Sequence, residues 1–254
     1  MTGPWLICQD VDSFHTIAHP TLSTIELHGY LRALVCIHCH NQLPRTDFQD
    51  SLSALNPEWA VFLAEMLATG ALDSENPAER SAKGLKSNPD GDVDVPNAPY
   101  TTFRYPACPI CLENPPMLAN GTKARVEIDR DGAWYPASTA GVLKPAVVMF
   151  GESIASDTKI SAEEAINNAG RILVVGSSLA TYSAWRLVKQ AKEQNMPIGV
   201  LNLGGVRGEE NFYVDIKPDD DGDMGVRCSE RADEVLPKVI ENLRLLNKNG
   251  ILRV

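Results

Sequence analysis

The sequence predicts an α/β fold built around a parallel β-sheet. In the second half of the chain, short continuous apolar runs alternate with stretches whose apolar residues recur at helical spacing. Buried parallel strands have this continuous apolar character, and crossover helices connect them. The predicted strands are 146–150, 172–175 and 198–201, with a possible fourth at 212–214.

Amphipathic patterns place helices between and after these strands. A capping box at 161–164 predicts a helix that ends near Gly170, and another helix follows Gly176. Near the chain end, a third helix carries Val235, Leu236, Val239, Ile240 and Leu243. In the first half, Asn56-Pro57 predicts a helix with proline at its first position, whereas residues 71–107 predict a turn-rich excursion.

Composition limits the classes of protein to consider. The chain has 254 residues, 44% of them hydrophobic, which suits one large domain or a large domain with a small satellite. The net charge of −10 argues against a nucleic-acid backbone as the main partner. Because no apolar run is long enough to cross a bilayer and no signal-peptide pattern is present, we expect a soluble protein without a membrane partner.

Two Cys-x-x-Cys pairs, Cys36 with Cys39 and Cys108 with Cys111, predict a metal site. Thiolates are soft donors, and the short spacing lets both sulfurs of a pair reach one ion. Four thiolates complete a tetrahedral shell with no open position, so the pattern predicts structural zinc. The alternatives are four reduced structural cysteines, or substitution of a ligand by His38 or His40, although surface positions are the simpler interpretation of these histidines.

Several short motifs occur in a fixed order around these cysteines. They are Gln9-Asp10-Val11-Asp12, Glu26-Leu27-His28-Gly29, Phe150-Gly151-Glu152, Gly176-Ser177-Ser178 and Leu201-Asn202. As an ordered set they resemble the sirtuins, the NAD-dependent protein deacylases. Further motifs resemble the mitochondrial class II branch of that family, namely Leu55-Asn56-Pro57, Pro89-Asp90-Gly91 and Tyr182-Ser183.

The resemblance implies an enzyme that transfers the acyl group of an acyl-lysine protein or peptide to the ADP-ribose of NAD and releases nicotinamide. His28 would be the general base acting on the ribose hydroxyls. The implied NAD-binding residues are Gln9, Asp10, Asp12, Gly176, Ser177, Ser178 and Asn202. The implied substrate-binding residues, which would pair with the peptide backbone as an added strand, are Val148, Phe150, Gly151 and Glu152.

Each of these residues also has a simpler structural interpretation when it is taken alone. Gly176-Ser177-Ser178 is compatible with a plain strand-to-helix turn, Phe150 with a core position and Asn202 with a turn. It is the ordered set that favours the functional interpretation.

The resemblance further implies a Rossmann-like sheet with a small zinc-binding subdomain. Residues 1–35 and 140–254 would form the NAD-binding domain, and residues 36–139 the zinc-binding subdomain with a long insertion. The branch resemblance suggests a mitochondrial location, with nucleus and cytoplasm as alternatives.

The sequence departs from the sirtuin pattern in two places. The glycine-rich Gly-Ala-Gly-x-Ser loop that holds the cofactor diphosphate does not occur in these 254 residues, and Asp10 stands where the family has asparagine. We therefore expect a sheet that is incomplete on its N-terminal side, weak NAD binding and slow turnover. The alternatives are a catalytically impaired sirtuin remnant that acts as a zinc-containing protein- or acyl-lysine-binding module, and an unrelated zinc protein with a Rossmann-like half.

Overall fold

The fold is described from a computed structural model of the chain. The structure describes residues 5–74, 76–87, 93–95, 98, 103–217 and 220–249, so the Pro89-Asp90-Gly91 motif lies outside the described residues. Two compact units divide the chain, one formed by residues 1–29 and 148–254 and the other by residues 30–147.

Short strands and helices alternate along the described chain. The strands are β1 (Leu6–Cys8), β2 (Thr24–Glu26), β3 (Gly29–Cys36), β4 (Gln42–Pro44), β5 (Lys86–Ser87), β6 (Val93–Asp94), β7 (Leu143–Val147), β8 (Ile172–Val175), β9 (Ile198–Leu201) and β10 (Gly225–Cys228). The helices are α1 (Phe14–Ala18), α2 (Arg45–Leu55), α3 (Pro57–Ala68), α4 (Pro77–Ala82), α5 (Pro109–Glu113), α6 (Ser156–Asn167), α7 (Tyr182–Glu193), α8 (Glu209–Phe212) and α9 (Ala232–Lys248).

The strands described in the unit formed by residues 1–29 and 148–254 are all paired in parallel. Strand β1 pairs with β2, and β8, β9 and β10 form a second sheet in the order β10-β9-β8. The strands predicted at 172–175 and 198–201 are confirmed as β8 and β9, and with them the parallel α/β architecture.

The core of this unit lies between the strands and helices α6 and α7. Leu27, Ile198 and Val200 are almost fully buried there. The predicted apolar face of α7, formed by Ala184, Leu187, Val188 and Ala191, is buried as expected. The side-chain periodicity of the sequence therefore correctly predicted which face of this helix packs against the sheet.

One predicted strand of this unit is wrong, and one predicted helix starts earlier than expected. The segment 212–214 is not a strand, because Phe212 ends the short helix α8, and the fourth strand is β10 instead. A left-handed Gly208 and the bond from the Val206 amide to the Glu209 carboxylate start that helix. Helix α6 begins at Ser156, so the expected capping box at 161–164 lies inside it.

Strand β7 ends earlier than the sequence predicted. It covers Leu143–Val147 rather than 146–150, and none of its residues is fully buried. Phe150 is 91% exposed, which rules out the core position that its apolar side chain suggested. Its exposure has a local cause, since the chain turns at Met149 to Glu152 instead of continuing as a strand.

The unit formed by residues 30–147 contains a three-stranded sheet in the order β4-β3-β7 and a small hairpin of β5 and β6. Helix α3 starts at Pro57 after Asn56, as predicted. The buried Asn56 side chain donates to the carbonyls of Leu52 and Arg104, which holds the segment around Arg104 against the end of α2. Within the described parts of the chain, none of the helices has the length and apolar character needed to cross a membrane.

Candidate zinc and catalytic sites

The four predicted cysteine ligands meet in the unit formed by residues 30–147. Their sulfur atoms all lie within 4.8 Å of one another, with 3.6 Å between the Sγ atoms of Cys36 and Cys111 and 3.8 Å between those of Cys39 and Cys108. All four are free thiols, at separations far longer than a disulfide bond of about 2.05 Å. The structure therefore brings together two pairs that are 69 or more residues apart.

Local backbone structure presents each pair to the same point. Strand β3 ends at Cys36, and the amide of His40, which has a left-handed φ of 58°, donates to the Cys36 carbonyl to close the first turn. Cys108 precedes the first turn of α5, and Pro109 occupies the first helical position, where it fits without losing a hydrogen bond. A backbone hydrogen bond therefore sets the position of the first pair, the start of α5 sets that of the second, and neither feature involves the sulfur atoms.

The donor set fits zinc. A tetrahedral site with Zn–S bonds of about 2.3 Å has sulfur–sulfur edges of about 3.8 Å, which the two contacts above match. His38 and His40 are not part of the four-ligand cluster. These residues would hold the ion as a closed structural site, because four thiolates leave no position for water or substrate.

Ionisation of the thiols differs across the cluster. Burial raises the pKa of the Cys108 and Cys111 thiols. At Cys39 burial acts in the same direction, but hydrogen bonds from Asn41 outweigh it and lower the pKa to about 7. Four adjacent thiolates repel one another, so a bound cation is what would hold all four in the deprotonated state.

Gly141 provides a stability test beside this cluster. Its φ is +86°, and an added Cβ would lie 2.7 Å from Cγ1 of Val126 and 3.7 Å from Cβ of Cys111. We expect Gly141→Ala to lower the free energy of unfolding of this unit by about 1–3 kcal/mol, because it combines backbone strain with overpacking. Chemical denaturation with zinc present measures the change.

The matched control is Gly121→Ala, which has a similar φ of +77° but no atom within 4 Å of the added Cβ. Comparing the two variants separates the stability lost through backbone strain from the stability lost through the contact with Val126. Equal destabilisation by the two substitutions would show that the contact with Val126 is unimportant.

His28 lies in the other unit, directly after β2. The pairing of β2 with β1 continues through the Leu27 amide, which donates to the Cys8 carbonyl, and the Leu27 side chain is fully buried. Gly29 follows with a φ of 76°. The buried Leu27 before His28 and the left-handed Gly29 after it thus fix the position of the imidazole at the end of β2.

A chain of hydrogen bonds connects His28 to three further residues. His28 Nδ1 lies 3.3 Å from the Gln9 carbonyl, and Nε2 lies 2.8 Å from Oγ of Ser183. The Gln9 side chain in turn donates to Oγ of Ser177 at 2.8 Å. We call Gln9, His28, Ser177 and Ser183 the histidine network.

The network defines the tautomer of a neutral His28. A backbone carbonyl only accepts hydrogen bonds, so Nδ1 carries the proton and donates to Gln9. Nε2 is then unprotonated, and its lone pair accepts a hydrogen bond from the Ser183 hydroxyl. This arrangement leaves Nε2 as the nitrogen that can take a proton from a ligand.

The Ser183 contact was not predicted from the sequence. Tyr182-Ser183 had been noted only as a mark of the class II branch, and 155 residues separate Ser183 from His28. No rule based on sequence spacing predicts a contact between residues this far apart. The one available signal for the contact was the presence of a serine in the first turn of α7.

Space remains open at the carboxyl end of β8. Gly176 has a φ of +62°, and a Cβ built there would meet no protein atom within 4 Å. Oγ of Ser177 accepts from the Leu179 amide as well as from Gln9, and Ser178 is exposed. The end of a parallel strand followed by a helix is where α/β folds bind ligands, so this end of β8 is a candidate ligand site.

Asp10 and Asp12 are exposed and do not join the network through any described hydrogen bond. The Asp12 carboxylate accepts from the Phe14 amide at 3.0 Å and so stabilises the start of α1. Beside them, burial raises the pKa of the Cys8 thiol, and the neighbouring Asp10 and Asp12 charges raise it further. Cys8 is therefore a poor nucleophile at neutral pH.

Asn202 lies at the end of β9 in a loop organised by Arg227. Its side chain donates to the Gly204 carbonyl at 3.0 Å, and its own carbonyl accepts from the Arg227 guanidinium at 2.8 Å. Arg227 also pairs with Glu209, and this ionic hydrogen bond lowers the pKa of the Glu209 carboxyl. The structure shows no hydrogen bond between Asn202 and the described residues of the histidine network.

The predicted substrate-binding segment is connected to His28 through the backbone. The Val148 amide donates to the His28 carbonyl at 2.9 Å. Beyond it, Met149 and Glu152 close a turn, in which Gly151 has a φ of +87° and Phe150 projects into solvent. The turn presents exposed backbone and an exposed aromatic ring one residue after the Val148 pairing.

Comparison with known proteins identifies the family. The Sir2 family model matches residues 2–183. NAD-dependent protein deacetylase 2 of Bradyrhizobium diazoefficiens is 32% identical over 212 residues, covering 84% of this chain and 59% of that protein. The mitochondrial NAD-dependent protein lipoamidase sirtuin-4 of Bos taurus is 31% identical over 206 residues, covering 81% of this chain and 50% of that protein.

Solved structures show the same fold. A structure described as Sir2 bound to acetylated peptide has a TM-score of 0.51 at 16% identity, and covers 97% of this chain and 63% of that one. Because the family match includes well over half of the residues, this chain belongs to the Sir2 family. Its Rossmann-like fold and its resemblance to sirtuins are confirmed, and it spans between half and three-fifths of the length of the two relatives named above.

Proposed function

We propose that this chain is an NAD-dependent protein-lysine deacylase of the sirtuin type. The observation that carries the proposal is the histidine network, in which a histidine with an unprotonated Nε2 lies beside the open carboxyl end of β8. Support comes from relatives that are named NAD-dependent protein deacetylases and deacylases.

In this proposal the residues of the network have distinct roles. NAD would supply the ribose that accepts the acyl group and the nicotinamide that leaves. His28 Nε2 would take a proton from a ribose hydroxyl, while the Gln9 carbonyl keeps the proton on Nδ1 and orients the ring. Gln9, Asp10, Asp12, Gly176, Ser177, Ser178 and Asn202 would bind NAD, and the open space at Gly176 supports this assignment.

The peptide substrate would pair with the backbone of the segment that contains Val148, Phe150, Gly151 and Glu152. An extended peptide that adds to an exposed edge gains main-chain hydrogen bonds regardless of its sequence. The Val148 link to His28 would place the acyl-lysine near the base. Zinc would have only a structural role. We propose that residues 1–35 and 140–254 form the NAD-binding domain, and that residues 36–139 form the zinc-binding subdomain.

Membership of the class II branch and a mitochondrial location are part of the proposal. Their support is the sequence motifs and the mitochondrial bovine relative. Relatives from bacteria and a plant match equally well, so the family alone does not select a compartment.

A second candidate is a zinc-containing module that binds acyl-lysine or a protein partner without turnover. The observation in its favour is the cysteine cluster, whose four described ligands come together without any residue of the histidine network. The two candidates share the zinc site and differ in the chemistry at His28.

Mass spectrometry of acyl-lysine peptides separates the candidates. The chain is incubated with acetyl-lysine and longer acyl-lysine peptides, with and without NAD. We expect slow deacylation that requires NAD. Peptide binding without any deacylation would support the binding module and contradict the enzyme.

Ser183→Ala tests the orientation of the base. Loss of the hydroxyl removes one hydrogen bond to Nε2, and a net contribution of about 0.5–1.5 kcal/mol corresponds to a fall in kcat of about two- to tenfold. We expect the KM for the peptide to stay constant, because Ser183 does not lie in the exposed turn at 149–152. Ser161→Ala, which removes an exposed hydroxyl within α6, is the control, and an equal loss in both variants would contradict the role of Ser183.

A further inference from the structure

The loop that follows β9 contains two adjacent glycines and receives little support from packing. Leu203, Gly204 and Gly205 are all exposed, and a Cβ built at either glycine would meet no atom within 4 Å. Paired glycines also have unusually wide backbone freedom. Hydrogen bonds therefore have to fix the shape of this loop.

Arg227 of β10 provides hydrogen bonds at both ends of the loop. Its Nη1 donates to the Asn202 carbonyl at 2.8 Å, and its Nη2 donates to the Gly204 carbonyl at 2.7 Å. Its Nε donates to the Glu209 carboxylate, whose other oxygen accepts from the Val206 amide at 3.0 Å. The Arg227 and Glu209 side chains are only 21% and 26% exposed, so water competes less for this pair than for a surface ion pair.

The Gly204 carbonyl also fixes the orientation of the Asn202 side-chain amide. A carbonyl oxygen only accepts hydrogen bonds, so the Asn202 atom that lies 3.0 Å from it is Nδ2, which donates. Among the described residues no hydrogen bond uses Asn202 Oδ1. The loop therefore presents an acceptor that a hydroxyl or amino group of a ligand can reach.

Asn202 occupies a position in the fold where a ribose hydroxyl is expected. Strand β8, the turn at Gly176, helix α7 and strand β9 form one β-α-β unit with parallel strands. In dinucleotide-binding units of this kind, an acceptor at the end of the second strand binds a hydroxyl of the adenosine ribose. Asn202 follows β9 directly and has an acceptor available.

We infer that Arg227, held by Glu209, is a positioning residue for the adenosine ribose. By fixing the carbonyls of Asn202 and Gly204, it keeps the Asn202 amide in the orientation that presents Oδ1 to a ribose hydroxyl. Lysine cannot replace it, because one ammonium nitrogen does not reach three partners that a planar guanidinium contacts through three separate nitrogens. The inference rests on the assignment of Asn202 to NAD binding in the proposed function.

Nucleoside binding to the 254-residue chain tests this role without any turnover. The probes are adenosine and 2′,3′-dideoxyadenosine, which differ only in the ribose hydroxyls, and NMR titration measures both affinities. We expect the unaltered chain to prefer adenosine by about two- to tenfold, the usual net effect of one hydrogen bond. Arg227→Lys and Asn202→Ala should both lose this preference and keep their affinity for dideoxyadenosine.

Three comparisons isolate the effect of the guanidinium. Arg231→Lys makes the same change at an exposed arginine of the same unit and should keep the preference. Glu209→Gln leaves Arg227 in place but removes one acceptor, so it should weaken the preference, and it decides the question if Arg227→Lys does not fold. NMR relaxation should show that the Gly204 and Gly205 amides move more on the picosecond-to-nanosecond timescale in Arg227→Lys than in Arg231→Lys.

Several results would overturn the inference. These are an unchanged preference for adenosine in Arg227→Lys or in Glu209→Gln, and an unaltered chain that does not distinguish the two nucleosides or binds neither. An equal loss of affinity for both nucleosides in Arg227→Lys would show a purely structural role.

Failure of the proposed function gives a different result. A chain that prefers adenosine through Arg227 but never deacylates lysine would lose the proposed activity and keep the positioning role. Deacylation together with an unchanged preference in Arg227→Lys would do the reverse.

Discussion

Cys111→Ser should abolish zinc binding and unfold the unit formed by residues 30–147. Cys111 is fully buried, and its sulfur lies 3.6 Å from that of Cys36. A serine hydroxyl is a much poorer zinc ligand than a thiolate, so the zinc ion would keep only three of its four thiolate ligands. The other three sulfurs remain close together without the cation that offsets their charge.

The size of this effect follows from the coupling of metal binding to folding. Structural zinc sites bind with an apparent free energy of about 10–16 kcal/mol at neutral pH. Whole domains are stable by only about 5–15 kcal/mol, so losing the ion is sufficient to unfold the unit. Around this cluster the buried core consists of the cysteines, with Ile110, Val126 and Leu143 packed against them.

Elemental mass spectrometry measures the zinc content of each variant, and thermal unfolding measures its stability. The control is Cys228→Ser, because Cys228 is a free cysteine outside the cluster. We expect one zinc per chain in the control and none in Cys111→Ser. A Cys111→Ser protein that melts at the same temperature as the control would contradict a structural role for the cluster.

His28→Ala should lower the rate of deacylation by about 10²–10⁴-fold, the usual contribution of a positioned general base. Alanine removes both ring nitrogens, so neither the Gln9 carbonyl nor the Ser183 hydroxyl retains its partner. Affinity for the peptide should change little, because the backbone bond from Val148 to the carbonyl of residue 28 does not involve the side chain.

Single-turnover kinetics with saturating peptide and NAD measures this loss apart from binding. His19→Ala is the matched control, since His19 is exposed in the same unit and its hydrogen bonds use only the backbone. A His28→Ala enzyme that keeps its rate would assign the base to another residue.

The sequence predicted the zinc ligands because the signal is local and chemically specific. Two identical Cys-x-x-Cys spacings are typical of metal ligands, and the structure brings the four sulfurs together. Strands β8 and β9 were also predictable, since runs of apolar residues between turn residues must be buried somewhere.

Other features depend on tertiary contacts that no local pattern encodes. Phe150 follows an apolar run but is exposed, because the chain turns at Gly151 before the strand reaches it. The segment 212–214 has strand-like residues, yet hydrogen bonding at Gly208 and Glu209 makes its first residue the end of a helix. The contact between His28 and Ser183 joins a strand end to a helix start far along the chain, so sequence reasoning singled out His28 but not the residue that contacts it.

The stoichiometry of the reaction tests the proposed function most directly. Nicotinamide release and lysine deacylation are followed together by chromatography and mass spectrometry, with the 254-residue chain, NAD and an acetyl-lysine peptide. The account predicts one nicotinamide released for each lysine deacylated, at a slow rate that falls to background in His28→Ala. Deacylated lysine without an equal amount of nicotinamide, or without NAD, would contradict it.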